Sequence, residues 1–438
     1  MNPVRNLQGQ MKIFIISNII FMRENNRKIS NRVKILMINK FHYLHGGSEH
    51  YVFELSKLLE SYGHQVVFFS MQDERNIKSK FSEYFIKKVD LQKFNLINII
   101  KFFYNYEAVK KLKKIIKDEK PEVAHLHNIA HQISPAIIKV LRKNNIPIVQ
   151  TLHDYKIICP NYRLYSRRQI CQLCRGGKYY NCFFRKCLHN SWLKSFLGML
   201  EAYLNNKIFK YYDLVDLFIA PSQFMKDVCI RFGIAENKIK VIYNFIDVTA
   251  LTNDNLANKK EEPEYILYFG RLSQEKGIGI LLDALAKVNG VINLKIVGAG
   301  LERKNLELRI KNLELSDRVE IVGPKYGDEL KQIIIRAKAV IMPSLWPENM
   351  PYSILEALAL GKIVIASRTG GLPEIIQDGC NGLLFNSGDS IDLAKKIDLV
   401  LANNQLAKNI ENNAKLSLNK FNSQAHYWKI SEIYQDLI

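Results

Sequence analysis

The chain has no apolar run of the roughly 18 residues that a membrane-crossing helix requires, so no transmembrane helix is expected. No small-residue cleavage site follows the short apolar stretch 11–21, and a secretory signal is not expected there. No G-x-G-x-x-G occurs, which disfavours nicotinamide binding. Acidic residues are scarce at one end. Residues 1–200 carry 13 Asp and Glu against 34 Lys and Arg, while residues 201–438 carry 29 of each. The net charge of +21 therefore belongs to the first 200 residues and implies an anionic partner there: nucleic acid, a phosphorylated acceptor or an anionic membrane surface. Cysteine is also sparse outside one segment, with five of the seven lying between Cys159 and Cys187. Without a secretory signal a reducing compartment is expected, and disulfides are the less favoured use.

What is present is length and regular alternation. At 438 residues and 47% hydrophobic content the chain can fill two globular cores. Strands are predicted at 33–38, 65–70, 123–127, 148–152, 217–221 and 240–243, with helices at 48–61, 103–117, 135–143 and 223–232. Parallel strands need helical crossovers, so this alternation predicts a doubly wound parallel sheet. Residues 247–263 are polar and read as a linker. A second series then follows, with strands at 265–269, 294–297, 319–322, 340–342, 363–366 and 382–385. The fold class expected is α/β, with two Rossmann-like domains at 33–246 and 264–420 facing each other across a cleft. An irregular extension over 1–32 precedes them, and a helix over 421–438 caps the second domain or crosses back onto the first.

Two glutamates eight positions apart, Glu348 and Glu356, carry the most information. They sit in Trp346-Pro347-Glu348-Asn349-Met350-Pro351-Tyr352-Ser353-Ile354-Leu355-Glu356, between an apolar strand and a helix ending at Gly361. Pro351 suits the helix's first position. Glu348 is thus expected in the preceding loop and Glu356 near mid-helix, beside free backbone N–H groups that suit a sugar attached to a phosphate. Spacing alone also allows two ordinary surface carboxylates, and the neighbours decide. Gly270-Arg271-Leu272-Ser273-Gln274-Glu275-Lys276-Gly277 puts two cations on one short loop after a strand, as a diphosphate requires. Thr369-Gly370-Gly371-Leu372-Pro373-Glu374 and His45-Gly46-Gly47-Ser48 place paired glycines before helices, where backbone can approach a ligand closely.

In this order the pieces resemble the family 4 (group 1) glycosyltransferases of the GT-B fold, over about residues 33 to 438. The resemblance implies a nucleotide-sugar donor, with a uridine or guanosine diphosphate, held mainly by the second domain, and an acceptor on the first. It implies transfer with retention and no catalytic metal. Arg271 and Lys276 would hold the donor phosphates, and Glu356 the ribose hydroxyls. Glu348, with the backbone of Asn349, Met350 and Pro351, would hold the transferred sugar. Gly46 and Gly47 would approach the diphosphate from the opposite domain, and Gly370 and Gly371 complete the donor site. His153, at the end of the strand before Asp154, matches a histidine that contacts the sugar, and His127 would line the acceptor site.

The insertion at about 156–195 is not part of the minimal fold. Cys171 and Cys174 form a C-x-x-C, and Cys182 and Cys187 supply a second pair. Four thiolates can close a structural zinc site, with Cys159 or His189 as substitutes, and reduced packed thiols are the alternative. Residues 151–200 mix nine basic residues with Tyr162, Tyr165, Tyr179, Tyr180, Phe183, Phe184 and Trp192 against a single acid, Asp154. Together with the basic, aromatic stretch 101–120 this suits an anionic bilayer surface. The expectation is a cytoplasmic, membrane-peripheral enzyme of cell-surface polysaccharide synthesis acting on a glycan, specifically a lipid-linked oligosaccharide, with no nucleic-acid partner. A nucleic-acid-binding protein using the basic half, or a nucleotide-sugar epimerase of the same fold, are the competing readings.

Overall fold

The computed structural model describes residues 32–90, 96–248 and 264–438. The extension expected over 1–32 and the linker expected over 247–263 lie almost wholly outside these residues. The first sheet contains β1 (Lys34–Ile38), β2 (Gln65–Phe69), β3 (Val123–Leu126) and β4 (Ile148–Thr151). A separate antiparallel hairpin of β5 (Tyr165–Ser166) and β6 (Gln169–Ile170) follows, and β7 (Leu217–Ala220) and β8 (Ile239–Val241) complete the sheet. Its order is β2-β1-β3-β4-β7-β8, all parallel. The second sheet is built from β9 (Tyr265–Phe269), β10 (Asn293–Val297), β11 (Val319–Gly323), β12 (Ala339–Met342), β13 (Ile363–Ser367) and β14 (Leu383–Phe385). Its order is β11-β10-β9-β12-β13-β14, again all parallel. Helices cover both faces of such sheets, so central strands are buried on both sides and read as unbroken aliphatic runs. Ile35, Leu36, Met37 and Ile38 of β1 are all fully buried.

Each sheet reverses its winding once, between β1 and β3 in the first and between β9 and β12 in the second. Ligand crevices in open α/β sheets open outside the carboxyl ends of the strands at such switch points. The loops after β9 and β12 carry Arg271, Lys276 and Glu348. Those after β1, β3 and β4 carry Lys40, His127 and His153.

The helices used below are α1 (Gly47–Ser61), α2 (Leu96–Phe103), α3 (Tyr106–Glu119), α4 (Ala136–Lys143), α5 (Trp192–Tyr203), α6 (Gln223–Arg231), α7 (Tyr352–Ala359), α8 (Leu372–Ile375) and α9 (Ser423–Leu437). The helix expected over 103–117 is α3, starting three residues later, and α2, which was not expected, precedes it. Asn105 makes the break: its Oδ1 accepts Ala108 N–H at 3.2 Å as an N-cap, and its Nδ2 donates to Gln132 O at 2.6 Å. The helix after Glu348 starts one residue later than expected, with Pro351 as its cap.

Helix α9 packs its polar atoms against the first sheet and α1. Tyr427 OH lies 2.9 Å from His64 Nε2, Tyr434 OH 2.6 Å from His125 Nδ1, and His426 Nε2 3.1 Å from Tyr51 OH. The loop after β12 is tied to the first domain as well. Tyr155 OH donates to Pro347 O at 2.9 Å, Asn349 Nδ2 to His153 O at 3.0 Å, and Asn244 Nδ2 to Met350 O at 2.9 Å. The Glu374 carboxylate accepts Gln223 N–H and Phe224 N–H, both at 2.8 Å, and so caps α6 from across the cleft.

Candidate functional site

Glu348 is 4% exposed and lies at the centre of the second domain's crevice. Its Oε1 accepts from Lys276 Nζ at 2.5 Å and from Ser344 Oγ at 2.6 Å. Burial of a carboxylate is costly unless it is paired and hydrogen-bonded, and these two donors satisfy one oxygen. The other, Oε2, has no hydrogen-bond partner among the described residues. Neither do the backbone N–H groups of Asn349 and Met350, whereas Pro351 has no N–H to offer. Around this loop Ser273 Oγ, Trp346 Nε1, Asn349 Oδ1 and Thr369 Oγ1 are buried without partners. An unpartnered buried polar atom costs about 1–3 kcal/mol, so this concentration favours a polar ligand.

Gly370 and Gly371 explain the shape of the loop. Gly371 N–H donates to Glu348 O at 2.7 Å. Gly370 has φ +58°, and a Cβ there would stand 2.1 Å from Glu348 O; one on Gly371 would stand 2.1 Å from Asn349 O. The two glycines seat the 348–349 backbone, and Gly371 N–H points at that loop rather than into open space. The helix that follows, α8, has only four residues.

Lys276 is thus brought against Glu348, while Arg271 is exposed, with no hydrogen-bond or ion-pair partner among the described residues. Arg271 faces His45 of the first domain closely enough that, after burial, its charge is the next cause lowering the His45 pKa. Glu356 is separate from Glu348. Its carboxylate lies 3.6 Å from His50 Nδ1 on α1, and the His50 ring stacks on Tyr352 with centroids 4.3 Å apart. Burial pushes Glu356 up to about 7 and lowers His50. Opposite, a Cβ added at Gly46 or Gly47 would meet nothing nearer than Glu49 Oε2 at 3.8 Å or Tyr352 Cδ2 at 3.6 Å, which leaves space over both glycines. His50, Ser344 and Tyr352 were not among the residues predicted. Only the position of His50, one turn into the helix after Gly46-Gly47, could have suggested it.

His153 lines a cavity of about 330 Å³ at the carboxyl ends of β3 and β4. Its Nε2 lies 2.9 Å from His127 Nδ1, and His127 Nε2 is turned to Met37 Sδ at 2.8 Å. Burial holds His153 down to about 3 and His127 well below its ordinary value, so both rings are neutral hydrogen-bonding groups. The cavity lies wholly in the first domain, and α2 and α5 contribute Phe102 and Lys194 to its wall.

Cys159, Cys171, Cys174, Cys182 and Cys187 all line one small void of about 10 Å³, and all are free thiols. The neighbouring Cys182 thiol holds Cys187 down to about 6, aided by Ser166, Arg185 and Arg167 against the effect of burial. Among the described residues no three His, Cys, Asp or Glu side chains are placed to hold a metal ion. The four thiols of the expected zinc site, Cys171, Cys174, Cys182 and Cys187, thus face one void together with Cys159. No helix of the described residues is long and apolar enough to cross a membrane.

Comparison with known proteins bears on both halves. The family described as Glycosyltransferase Family 4 matches residues 45–250, and the one described as Glycosyl transferases group 1 matches residues 252–417. A Methanocaldococcus jannaschii protein named glycosyltransferase MJ1178 is 27% identical over 408 residues, 92% of this chain and 99% of that one. The lipopolysaccharide 1,6-galactosyltransferase of Escherichia coli K12 is 32% identical over 187 residues, 41% of this chain and 51% of that one. The crystal structure of Anabaena Alr3699/HepE with UDP and glucose superposes with a TM-score of 0.66 at 22% identity, covering 92% of this chain and all of that one.

Proposed function

Because this chain belongs to the group 1, family 4 glycosyltransferases of the GT-B fold, we propose that it moves a sugar from a UDP- or GDP-sugar to a glycan, with retention of configuration and without a catalytic metal. The observation that carries the donor assignment is the Lys276–Glu348 node: a buried carboxylate with one oxygen held and the other open, beside two unpartnered N–H groups. The open oxygen and the N–H groups of Asn349 and Met350 take the hydroxyls of the transferred sugar. Lys276 and Arg271 take the diphosphate, Glu356 takes the ribose, and Gly46 and Gly47 leave room for the phosphates from the other side.

In the reaction the bond from the anomeric carbon to the diphosphate oxygen breaks while the acceptor oxygen attacks on the same face. The acceptor's proton passes to the departing phosphate. Charge builds on that phosphate, and cations already in place stabilise it without reorganisation, the term that usually dominates such steps. His153 is neutral and serves as a hydrogen-bonding wall for the sugar rather than as a charged group.

The acceptor occupies the first-domain cavity and is a lipid-linked oligosaccharide of cell-surface polysaccharide synthesis. Exposed Ile97 and Ile100 on α2 and Trp192, Leu193 and Phe196 on α5 flank it. With the lysines of α3 they suit an anionic bilayer at the cytoplasmic face. A nucleotide-sugar screen tests the donor reading: a ligand at 100 times its dissociation constant adds about 2.7 kcal/mol of stability. Proton NMR of the product then reads the anomer. No stabilisation by any UDP- or GDP-sugar would count against the reading, and an inverted product would remove the retaining mechanism.

A further inference from the structure

The first-domain cavity is uneven in charge. Lys156 is already satisfied, because its Nζ lies 2.7 Å from Glu201 Oε2, which also takes His131 Nε2 at 3.3 Å. Glu201 is 1% exposed. Burial alone would raise its pKa, but Lys156 and His131 overcome that and hold it down to about 2. Lys156 and His131 on the wall are thus both engaged by Glu201 Oε2, while Glu201 Oε1 is buried without a partner.

Two other cations on the same wall are not satisfied. Lys40 and Lys194 line the cavity, and neither ammonium has a carboxylate partner among the described residues. Lys40 Nζ stands 5.1 Å from the centroid of the Phe41 ring, and its charge offsets part of the effect of burial on Asp154 and Glu49. Lys40 is half-buried and Lys194 exposed, and cations of one sign on the wall of a cleft focus their field on an anion that enters it.

The wall also holds groups that can donate, Asn128, Thr151 and Tyr162 among them, and two open acceptors. Gln150 is 5% exposed, and its Oε1 is buried without a hydrogen-bond partner. Asp154 accepts Lys156 N–H at 2.8 Å on Oδ1, and its Oδ2 has no partner among the described residues. Phe102 lies flat on the His131 ring, centroids 4.9 Å apart, and supplies an apolar face. Unpaired cations, unpaired hydroxyl acceptors and an aromatic face in one cavity describe a polyhydroxylated anion. The volume of about 330 Å³ sits at the small end of ligand pockets, which run from roughly 300 to 1,000 Å³, and suits one or two sugar rings.

We propose that the acceptor sugar bound in this cavity carries a negative charge, a carboxylate or a phosphate, drawn to Lys40 and Lys194 while its hydroxyls bond Asp154 and Gln150. This rests on the reading of the cavity as the acceptor site of a transferase. It adds the chemical class of that acceptor, and it makes Lys40, Lys194 and Asp154 determinants of acceptor choice.

Calorimetry with the full chain tests it without any need for turnover, using octyl glucuronide, neutral octyl glucoside and glucose 1-phosphate. A charge-assisted contact contributes roughly 10- to 100-fold in affinity. Octyl glucuronide or glucose 1-phosphate should bind tighter than octyl glucoside by that factor, and whichever does so identifies the carboxylate or the phosphate as the charge recognised. Lys194→Met, at an exposed position that folding does not depend on, should cut the preference at least threefold. Lys40→Met should cut it further, with binding of the neutral glucoside unchanged. Equal affinity for charged and neutral glycosides, or a preference that survives both substitutions, would overturn the proposal. A nucleotide-sugar titration on the same samples keeps the two readings apart. If the donor binds while the charged glycosides show no preference, only the acceptor class fails; if the charged glycosides bind and no donor does, the transferase reading fails.

Discussion

Replacing Lys276 with methionine removes the cation from a carboxylate that is 4% exposed. At 2.5 Å the attraction between the two charges is roughly 6–7 kcal/mol at an effective dielectric near 20. Most of that offsets the several kcal/mol needed to take each ion out of water. Losing one partner exposes the other's uncompensated cost, about 3–5 kcal/mol for a buried pair. The Ser344 hydroxyl stays on Glu348 Oε1, which places the expected loss near the lower end. Lys276→Met should therefore melt roughly 6–12 °C below wild type at pH 7, taking about 2–4 °C per kcal/mol for a domain of this size. Adding Glu348→Gln should restore most of the loss at pH 7, since a neutral amide needs no cation and still accepts from Ser344. Differential scanning calorimetry measures both variants beside wild type. A single variant melting within about 2 °C of wild type, or a double variant that melts lower still, would refute the view of Glu348 as a buried charge dependent on Lys276.

Two further expectations follow from the same geometry. His125, His153 and His426 are held down to about 3 by burial, and His127 lower than its ordinary value, while an unfolded histidine titrates near 6.5. The unfolded chain then binds more protons below pH 6.5, so the stability present above that value should fall as the pH drops toward 3, by about 2 kcal/mol per histidine at pH 5; a melting temperature flat between pH 7 and pH 5 would contradict this. Gly371→Ala puts a methyl group 2.1 Å from Asn349 O and 2.9 Å from Ser222 Cβ. It should weaken nucleotide-sugar binding at least tenfold while circular dichroism stays near wild type, and unchanged affinity would show that the loop position is not critical.

The two sheets were legible because parallel, doubly buried strands leave long Val, Ile and Leu runs between amphipathic helices. β9 falls at the residues predicted, and every other strand of the two parallel sheets within two residues of them at either end. The helix α2 was not expected, and the Asn105 cap that separates it from α3 shows only in the fold. In the site, residues close in sequence could be read as sets: Arg271 with Lys276 after β9, and Gly370 with Gly371 after β13. The partners supplied from the other domain could not. Nothing in the local sequence says that Glu356 faces His50, that Glu374 caps α6, or that Tyr155 reaches Pro347, since each contact depends on how the two domains dock. The cavity cations were hidden for the same reason: Lys40 and Lys194 lie 154 positions apart, in a half already rich in lysine.

The central claim is that Glu348 holds the transferred sugar in a working glycosyltransferase. Transfer of radiolabelled sugar from the nucleotide donor that stabilises the wild-type protein, onto membrane-extracted glycolipid, tests it most directly. Wild type should transfer, and a Glu348→Ala variant shown by calorimetry to be folded should lose activity by at least 100-fold, on the scale of removing a group that supports the transition state. Full activity in that folded variant would contradict the account.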